Sequence, residues 1–161
     1  MTTKAEIIDK NEAIESLSDK RIAIVSGSFD LLHNGHFYLF EQAKKLIPEN
    51  TKLVVIVMDD INIRNRKGSN RPILSLGERI YALTHIRNID YILPWTTHWE
   101  ELREFVLELK PNYYIVSNTD QGIDNKREHI TKVGGELIVI TRNPAYSTTT
   151  LLERIKNSTD Q

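Results

Sequence analysis

The stretch IAIVSGSFDLLHNGH, residues 22–36, carries the strongest indication of the fold. Residues 22–25 form a continuous apolar run rich in β-branched side chains, which is typical of a strand covered on both faces. Residues 26–35 predict a loop. From residue 35 or 36 to Ile47 the apolar residues recur at helical spacing, and Pro48 ends the helix. The stretch therefore predicts the first strand, loop and helix of an α/β unit.

The same alternation continues towards the C-terminus. Further strands are predicted over 53–58, 91–93, 113–116 and 137–140, and further helices over 3–18, 76–87, 97–109, 124–133 and 148–155. This alternation predicts an α/β fold, a single-domain Rossmann-like doubly wound parallel sheet of about five strands with helices on both faces. We expect an N-terminal helical extension over 1–19, the main domain over 20–156 and a polar tail over 157–161.

Composition excludes several classes of protein. The chain has 161 residues, no cysteine and a formal net charge of −1, from 21 Lys and Arg against 22 Asp and Glu. Disulfides, thiolate metal sites, iron–sulfur clusters and cysteine nucleophiles are therefore excluded. The balanced charge argues against a protein that coats nucleic acid or an anionic membrane. With no long apolar run and no signal-like N-terminus, we expect a cytoplasmic protein with no membrane partner.

Two histidines stand at the start of the first predicted helix of the sheet, His33 and His36, on either side of Gly35. In doubly wound sheets ligands bind beyond the carboxyl ends of the strands, where this loop lies. A helix N-terminus favours anions, imidazoles add hydrogen-bond donors, and glycine permits close approach of the backbone. Neither of two common glycine-rich phosphate-binding motifs is present. The alternatives are ordinary capping histidines, or a zinc site that would have only Asp30 as an added ligand.

Other loops at the same edge carry groups suited to phosphate. The basic loop over 59–71 includes Lys67, and a mobile lysine suits a polyphosphate, although exposed basic loops are often only solvated. Arg142 can clamp a phosphate through two hydrogen bonds, and Ser147 opens the last predicted helix. For Ser147 alone, a plain N-cap is the competing interpretation. Together these loops predict a site for a small anionic ligand.

Ser28-Phe29-Asp30 with His33-Asn34-Gly35-His36 resembles the [GT]-x-F-D-x-x-H-x-G-H motif of the cytidylyltransferase-like nucleotidyltransferases. Arg142 with Ser147-Thr148-Thr149 resembles the family's second signature, and the resemblance covers about residues 21–155. It implies that a phosphate oxygen of a small phosphorylated substrate attacks the α-phosphate of ATP or CTP and releases pyrophosphate. It further implies that Mg²⁺ is held through the nucleotide phosphates, with no metal ligated by the protein itself.

The resemblance also implies roles for single residues. Catalytic roles fall on His33, His36, Lys67 and Arg142. Nucleotide-binding roles fall on Gly27, Ser28, Phe29, Asp30, Gly35, Arg79, Asp120, Ser147, Thr148 and Thr149. For the acceptor, the candidates are Trp95, Trp99 and Tyr146. A homodimer is expected, with the N-terminal helix and the helix ending at residue 109 as candidate contact surfaces.

Two branches of the family fit the sequence. Residues 67–72, KGSNRP, and residues 134–136, GGE, resemble the heptose-1-phosphate adenylyltransferase domain of ADP-heptose synthesis. The spacing from Arg142 to Ser147, and residues 98–100, HWE, resemble glycerol-3-phosphate cytidylyltransferase. Residues 117–120, SNTD, depart from the glycine-rich G-G-D or G-D-D that the family carries there, and only Asp120 keeps the pattern. Adenylyl transfer to a sugar 1-phosphate is favoured, with cytidylyl transfer or a non-catalytic nucleotide-binding module as alternatives.

Overall fold

Strands and helices alternate along the chain in a computed structural model that describes residues 4–159. The strands are β1 (Glu6–Ile7), β2 (Ile22–Gly27), β3 (Lys52–Met58), β4 (Tyr91–Trp95), β5 (Tyr113–Ser117) and β6 (Glu136–Ile140). The helices are α1 (Lys10–Leu17), α2 (Asn34–Leu46), α3 (Asp60–Lys67), α4 (Leu76–Thr84), α5 (Leu102–Leu109), α6 (Ile123–Lys132) and α7 (Thr148–Thr159). A 3-10 turn, Trp99–Glu101, precedes α5.

The strands form one six-stranded sheet in the order β1-β4-β3-β2-β5-β6, and each neighbouring pair is parallel. The predicted α/β class and Rossmann-like architecture are confirmed, with one strand more than the five expected. From β2 the chain proceeds through β3 to β4 on one side, and then crosses to β5 and β6 on the other. The order therefore reverses between β2 and β5, which is where open α/β sheets bind their ligands.

The core consists of two apolar layers, one on each face of the sheet. Ile24 and Val54 belong to one layer, whereas Ala23 and Val55 belong to the other, and all four are fully buried. Because successive side chains of a strand point to opposite faces, a strand covered on both faces must be apolar throughout. This burial explains the continuous apolar runs of β2 and β3, and it holds the loops that follow them in fixed positions.

The N-terminal segment differs from the prediction of one helix over 3–18. Thr3 lies outside the described residues. Residues 6–7 form strand β1, which pairs with β4 through the bonds from Glu6 N to Asp90 O (3.0 Å) and from Ile8 N to Ile92 O (2.9 Å). Asp9 then caps α1 in a reciprocal capping box with Glu12, so the helix begins only at Lys10. The capping signal of Asp9 outweighed the helical spacing of the apolar residues before it.

Two other segments are more helical than predicted. The polar loop over 59–71 contains α3, capped by Asp59 and anchored inward only by Asn62 and Ile63, so it shows almost no apolar periodicity. Helix α7 continues to Thr159 instead of ending at residue 155, and therefore takes up most of the predicted polar tail. Residues 160–161 of that tail lie outside the described residues.

Candidate active site

A cavity of about 290 Å³ opens at the carboxyl ends of β2, β5 and β6, next to the point where the strand order reverses. Most of the predicted site residues line it, namely Gly27, Ser28, Phe29, Asp30, His33, Gly35, His36, Lys67, Asp120, Arg142 and Thr148. Its lining also includes Tyr38, Arg71, Ser117 and Thr119, to which the sequence analysis gave no role in the site. Four separate loops thus converge on one space.

His33 caps α2 and at the same time faces the cavity. Its Nδ1 accepts a hydrogen bond of 3.1 Å from the Gly35 backbone N–H, so the neutral ring carries its proton on Nε2. Its pKa is lowered by partial burial and by the charge of Arg142. The capping interpretation and the functional one are therefore compatible, because one ring nitrogen caps the helix and the other is left for a ligand.

His36 stacks on His33 with ring centroids 4.0 Å apart. Burial, followed by the proximity of His33, Arg142 and Lys67, lowers its pKa to about 3, so the ring is neutral near pH 7. Its buried Nδ1 has no hydrogen-bond partner among residues 4–159. Buried polar atoms normally have partners, so this unpaired nitrogen is an exception within the described residues. The His36 ring itself lines the cavity.

The backbone around the histidines leaves no room for larger side chains. A Cβ on Gly35 would lie 2.9 Å from both the His33 ring and the Tyr146 carbonyl oxygen, so glycine is required by protein packing. Phe29 has a φ of 49°, which a non-glycine residue rarely adopts, and its buried ring lies 5.5 Å from that of His36. Such strain is characteristic of functional loops.

Asp30 fastens the segment between α3 and α4 to the β2 loop. Its carboxylate accepts bonds from Arg71 Nε at 2.7 Å and from the backbone N–H groups of Ile73 and Leu74 at 2.9 Å. Burial raises its pKa, but the two backbone bonds and Arg71 outweigh that effect and leave the pKa below its ordinary value. Asp30 therefore orders the loop around the site and makes no hydrogen bond to His33 or His36.

Lys67, the last residue of α3, lines the cavity beside this segment. Partial burial lowers its pKa, and the neighbouring charges of Arg71 and Arg66 lower it further. No ion pair to Lys67 is found among the described residues, so its ammonium is available to an anion.

Arg142 follows β6 and is held by neutral groups. Its backbone N–H donates to Asn118 Oδ1 at 2.9 Å, its Nε to the Tyr146 carbonyl oxygen at 3.0 Å, and its Nη1 to Thr119 Oγ1 at 3.4 Å. No carboxylate neutralises it within residues 4–159. The guanidinium is thus oriented at the cavity and keeps its positive charge.

Asp120 is also committed within the protein. Its Oδ1 accepts from the Gly122 N–H at 2.7 Å, and its Oδ2 pairs with Lys126 Nζ at 2.5 Å. Because Lys126 compensates the carboxylate, Asp120 adds little net negative charge to the cavity.

Arg79 occupies a different place from the one predicted. It is fully buried in α4 and lies outside the cavity lining. Its guanidinium donates to the carbonyl oxygens of Ser28 (2.6 Å), Met58 (2.7 Å) and Leu74 (3.0 Å), and to Asp60 Oδ1 (2.7 Å). The predicted contact of Arg79 with a nucleotide is corrected here, because these bonds join the loop after β2, the end of β3, the segment before α4 and the start of α3.

The serine and threonine cluster divides in the same way. Ser147 caps α7, since its Oγ accepts from the Thr150 N–H at 2.9 Å, and it lies outside the cavity lining. Thr148 lines the cavity at the start of α7, whereas Thr149 is exposed and does not. The N-terminus of α7 is therefore presented to the cavity mainly through Thr148.

The aromatic acceptor candidates lie outside the cavity. Trp95 is fully buried, packs on Phe105 with centroids 5.3 Å apart, and belongs to the core. Trp99 is half-buried, and the Cζ atom of the Arg66 guanidinium lies 5.1 Å from the centre of its ring. Tyr146 is exposed. The expectation that Trp95 contacts the acceptor is corrected, because its ring is buried in the core layer on one face of the sheet.

The cavity has no carboxylate, among the described residues, that is free to hold Mg²⁺ by itself. Within residues 4–159 no group of three or more His, Asp or Glu side chains could hold a metal ion. The cavity carboxylates, Asp30 and Asp120, already bind Arg71 and Lys126. A hard cation would therefore take its oxygens mostly from a nucleotide and water.

No helix within residues 4–159 is long and apolar enough to cross a membrane.

Comparison with known proteins places the sequence in a family and identifies relatives. The profile of the cytidylyltransferase-like family matches residues 24–156. The bifunctional protein HldE of Coxiella burnetii is 30% identical over 157 residues, which cover 94% of this chain and 32% of that protein. HldE of Desulfatibacillum aliphaticivorans is 32% identical over 150 residues, which cover 90% of this chain and 29% of that protein. The chain thus spans about a third of the length of these relatives.

Solved structures share the fold. A lipopolysaccharide core biosynthesis protein from Thermoplasma volcanium superposes with a TM-score of 0.61 at 24% identity, over 77% of this chain and 97% of that one. A pantoate-beta-alanine ligase from Francisella tularensis superposes with a TM-score of 0.54 at 18% identity, over 95% of this chain and 73% of that one.

Proposed function

Because the chain belongs to the cytidylyltransferase-like family and is a nucleotidyltransferase, we propose that it transfers an adenylyl group from ATP to a sugar 1-phosphate of the heptose 1-phosphate type. Pyrophosphate is the second product. The observation that carries this proposal is the convergence of His33, His36, Lys67 and Arg142 on one cavity whose carboxylates are already paired. Such a cavity suits a polyphosphate.

The chemistry is an in-line displacement at the α-phosphorus. An ionised phosphate oxygen of the acceptor forms the new P–O bond, and the bond between the α-phosphorus and the α–β bridging oxygen breaks. Pyrophosphate leaves with the electron pair of the broken bond. No proton has to be removed from the acceptor, because its attacking phosphate is already ionised near pH 7. Positioning and stabilisation of developing charge then supply most of the rate enhancement.

Each cavity residue has a role that its geometry suits. The neutral rings of His33 and His36 donate hydrogen bonds to oxygens of the α-phosphate as charge builds there. The cations Lys67 and Arg142 bind the β- and γ-phosphates, which become the leaving group. The N–H groups at the start of α2 add partial positive charge on the same side. Mg²⁺, when bound through the phosphates, supplies further neutralisation of the leaving pyrophosphate.

The adenylyl and sugar-phosphate assignment is supported by sequence. Residues 67–72, KGSNRP, provide both Lys67 and Arg71 at the cavity, and this is the stretch that resembles heptose-1-phosphate adenylyltransferases. The HldE relatives match over nearly the whole chain, although it spans only about a third of their length. Cytidylyl transfer to glycerol 3-phosphate is the second candidate, favoured by the Arg142–Ser147 spacing.

A coupled pyrophosphate-release assay tests the proposal. The protein is given ATP or CTP with heptose 1-phosphate, glucose 1-phosphate or glycerol 3-phosphate, in the presence of Mg²⁺. We expect pyrophosphate and nucleotide-sugar in equal amounts, fastest with ATP and heptose 1-phosphate. Fastest release with CTP and glycerol 3-phosphate would select the second candidate, and no turnover with any pair would leave a non-catalytic nucleotide-binding module.

The homodimer and the cytoplasmic location stay predictions. Light scattering of the purified protein tests the dimer, and variants at exposed positions of α1 and α5 would show whether those helices form the contact.

A further inference from the structure

We infer that Asn118 and Thr119 are positioning residues, which aim the Arg142 guanidinium at the triphosphate and leave its charge uncompensated. The inference rests on the proposed function, since it assigns a partner to Arg142 in that reaction. It concerns residues 117–120, SNTD, where this sequence departs from the glycine-rich pattern of its family. The side chains present in place of glycine are the ones that contact Arg142.

Asn118 joins β5 to the start of the β6 loop. Its backbone N–H donates to the Ile140 carbonyl oxygen at 2.9 Å, and its Oδ1 accepts the Arg142 backbone N–H at 2.9 Å. The two bonds extend the pairing of β5 and β6 beyond the last strand residue. These bonds hold the backbone of Arg142 at a fixed distance from the end of β5. A glycine at position 118 has no side chain and could not form the bond to the Arg142 N–H.

Thr119 acts on the guanidinium itself. Its Oγ1 lies 3.4 Å from Arg142 Nη1 and 2.8 Å from Ser117 Oγ, and the Ser117 hydroxyl also accepts the Thr119 N–H at 3.2 Å. Both hydroxyl residues line the cavity. With Nε bound to the Tyr146 carbonyl oxygen, the guanidinium is fixed at two of its nitrogens. Fixing it before the ligand arrives reduces the entropy lost on binding.

All the hydrogen-bond partners of Arg142 are neutral, so they hold the residue without cancelling its charge. A carboxylate at position 118 or 119 would hold Arg142 equally well but would cancel its charge. The nearby carboxylate of Asp120 is instead paired with Lys126 at 2.5 Å, and Asp120 Oδ1 is bound to Gly122. Arg142 therefore combines a fixed orientation with a charge that is free for phosphate.

A double-mutant cycle tests the inference. Asn118→Ala and Thr119→Val are each made in the wild type and in Arg142→Ala, and the readouts are kcat/KM for the triphosphate and the Kd of α,β-methylene ATP. If the two residues act through Arg142, each change lowers both affinity and kcat/KM by about tenfold in the wild type and by less than about twofold in Arg142→Ala. The KM for the acceptor should stay unchanged.

Conservative and matched variants separate this role from a structural one. Thr119→Ser keeps the hydroxyl and should recover most of the activity that Thr119→Val loses. Asn125→Ala and Thr131→Val, at exposed positions of α6, should match the wild type. Equal losses in both backgrounds, or a Thr119→Ser enzyme as impaired as Thr119→Val, would overturn the inference. The Kd measurement needs no turnover, so failure of the proposed reaction would be seen separately.

Discussion

His36 is a neutral residue that lies beside the cations Lys67 and Arg142. Because burial, together with His33, Arg142 and Lys67, keeps its pKa at about 3, the ring is a neutral donor at physiological pH. A neutral donor does not repel the cations beside it, and it can point at a single oxygen. In the proposed reaction the histidines supply directed hydrogen bonds, whereas Lys67 and Arg142 supply positive charge.

The lowered pKa of His36 predicts acid-sensitive stability. An unfolded histidine has a pKa of about 6.5 and binds a proton below it, but folded His36 stays neutral until about pH 3. The unfolded state therefore binds more protons between these values, and stability falls as pH falls through this window. At pH 5 we expect a loss of roughly 2 kcal/mol relative to pH 7.5 from this residue.

Urea unfolding of wild type, His36→Gln and His98→Gln at both pH values measures this contribution. His36→Gln should lose less stability on acidification than the wild type, whereas His98→Gln, a change at an exposed position, should follow the wild type. If His36→Gln lost as much as the wild type, the neutral buried ring would be refuted.

Sequence spacing could identify these residues but not their states. The pattern His33-x-x-His36 predicts a pair at a helix start, and the structure places both rings at the cavity. The neutral state of His36 depends on its burial and on the charges of Arg142 and Lys67 from distant parts of the chain, which no local pattern encodes. Arg79 shows the same limit, because only the three-dimensional packing gives its guanidinium four protein acceptors.

At the scale of elements, two buried charges hold the segment between α3 and α4. Asp30 binds it from the β2 loop through the N–H groups of Ile73 and Leu74. Arg79 binds it from α4 through the Leu74 carbonyl oxygen, and reaches the β2 loop at Ser28. The segment that begins just after Lys67 is thereby fixed from both sides, which keeps the end of α3 at the cavity.

Asp30→Asn is expected to loosen this connection. An amide offers one acceptor oxygen where the carboxylate offers two, so either Arg71 or a backbone N–H loses its partner. Leaving a partly buried donor beside Asp30 unpaired should lower the free energy of unfolding by about 1–3 kcal/mol. Urea denaturation measures it, with Asp19→Asn, at an exposed position, as the control. A loss equal to that of the control would contradict the assigned role of Asp30.

Helix α3 and strand β1 show which elements the sequence could not predict. Strands β2 and β3 are predictable because burial on both faces demands continuous apolar runs. Strands β4, β5 and β6 carry shorter apolar runs, although Ile140 is the one buried residue of the edge strand β6. Helix α3 buries only Asn62 and Ile63, and β1 is a two-residue strand next to a strong capping signal at Asp9. Short elements with few inward side chains leave too weak a periodicity to be recognised.

At the scale of the whole molecule, the sheet order determines where the chemistry lies. The strand order reverses between β2 and β5, so the loops after these two strands lead in opposite directions. The cavity opens between them, at the carboxyl ends of the strands. The balanced net charge of −1 hides this arrangement, because Lys67 and Arg142 face the cavity without carboxylate partners among the described residues. The sequence predicted this edge from the parallel alternation alone, whereas the position of β1 beside β4 required the structure.

In the proposed reaction an oxygen of the acceptor phosphate displaces pyrophosphate at the α-phosphorus, while the cavity residues stabilise the developing charge. The partition of an isotopic label distinguishes this reaction from other cleavages of ATP. ATP labelled at the α- or the γ-phosphorus is incubated with Mg²⁺, heptose 1-phosphate and either wild type or His36→Ala. We predict α-label in the nucleotide-sugar and γ-label in pyrophosphate, with both rates reduced about 10²–10³-fold in a folded His36→Ala protein. Label that stays in ATP, γ-label released as orthophosphate, or a His36→Ala enzyme as fast as the wild type would contradict it.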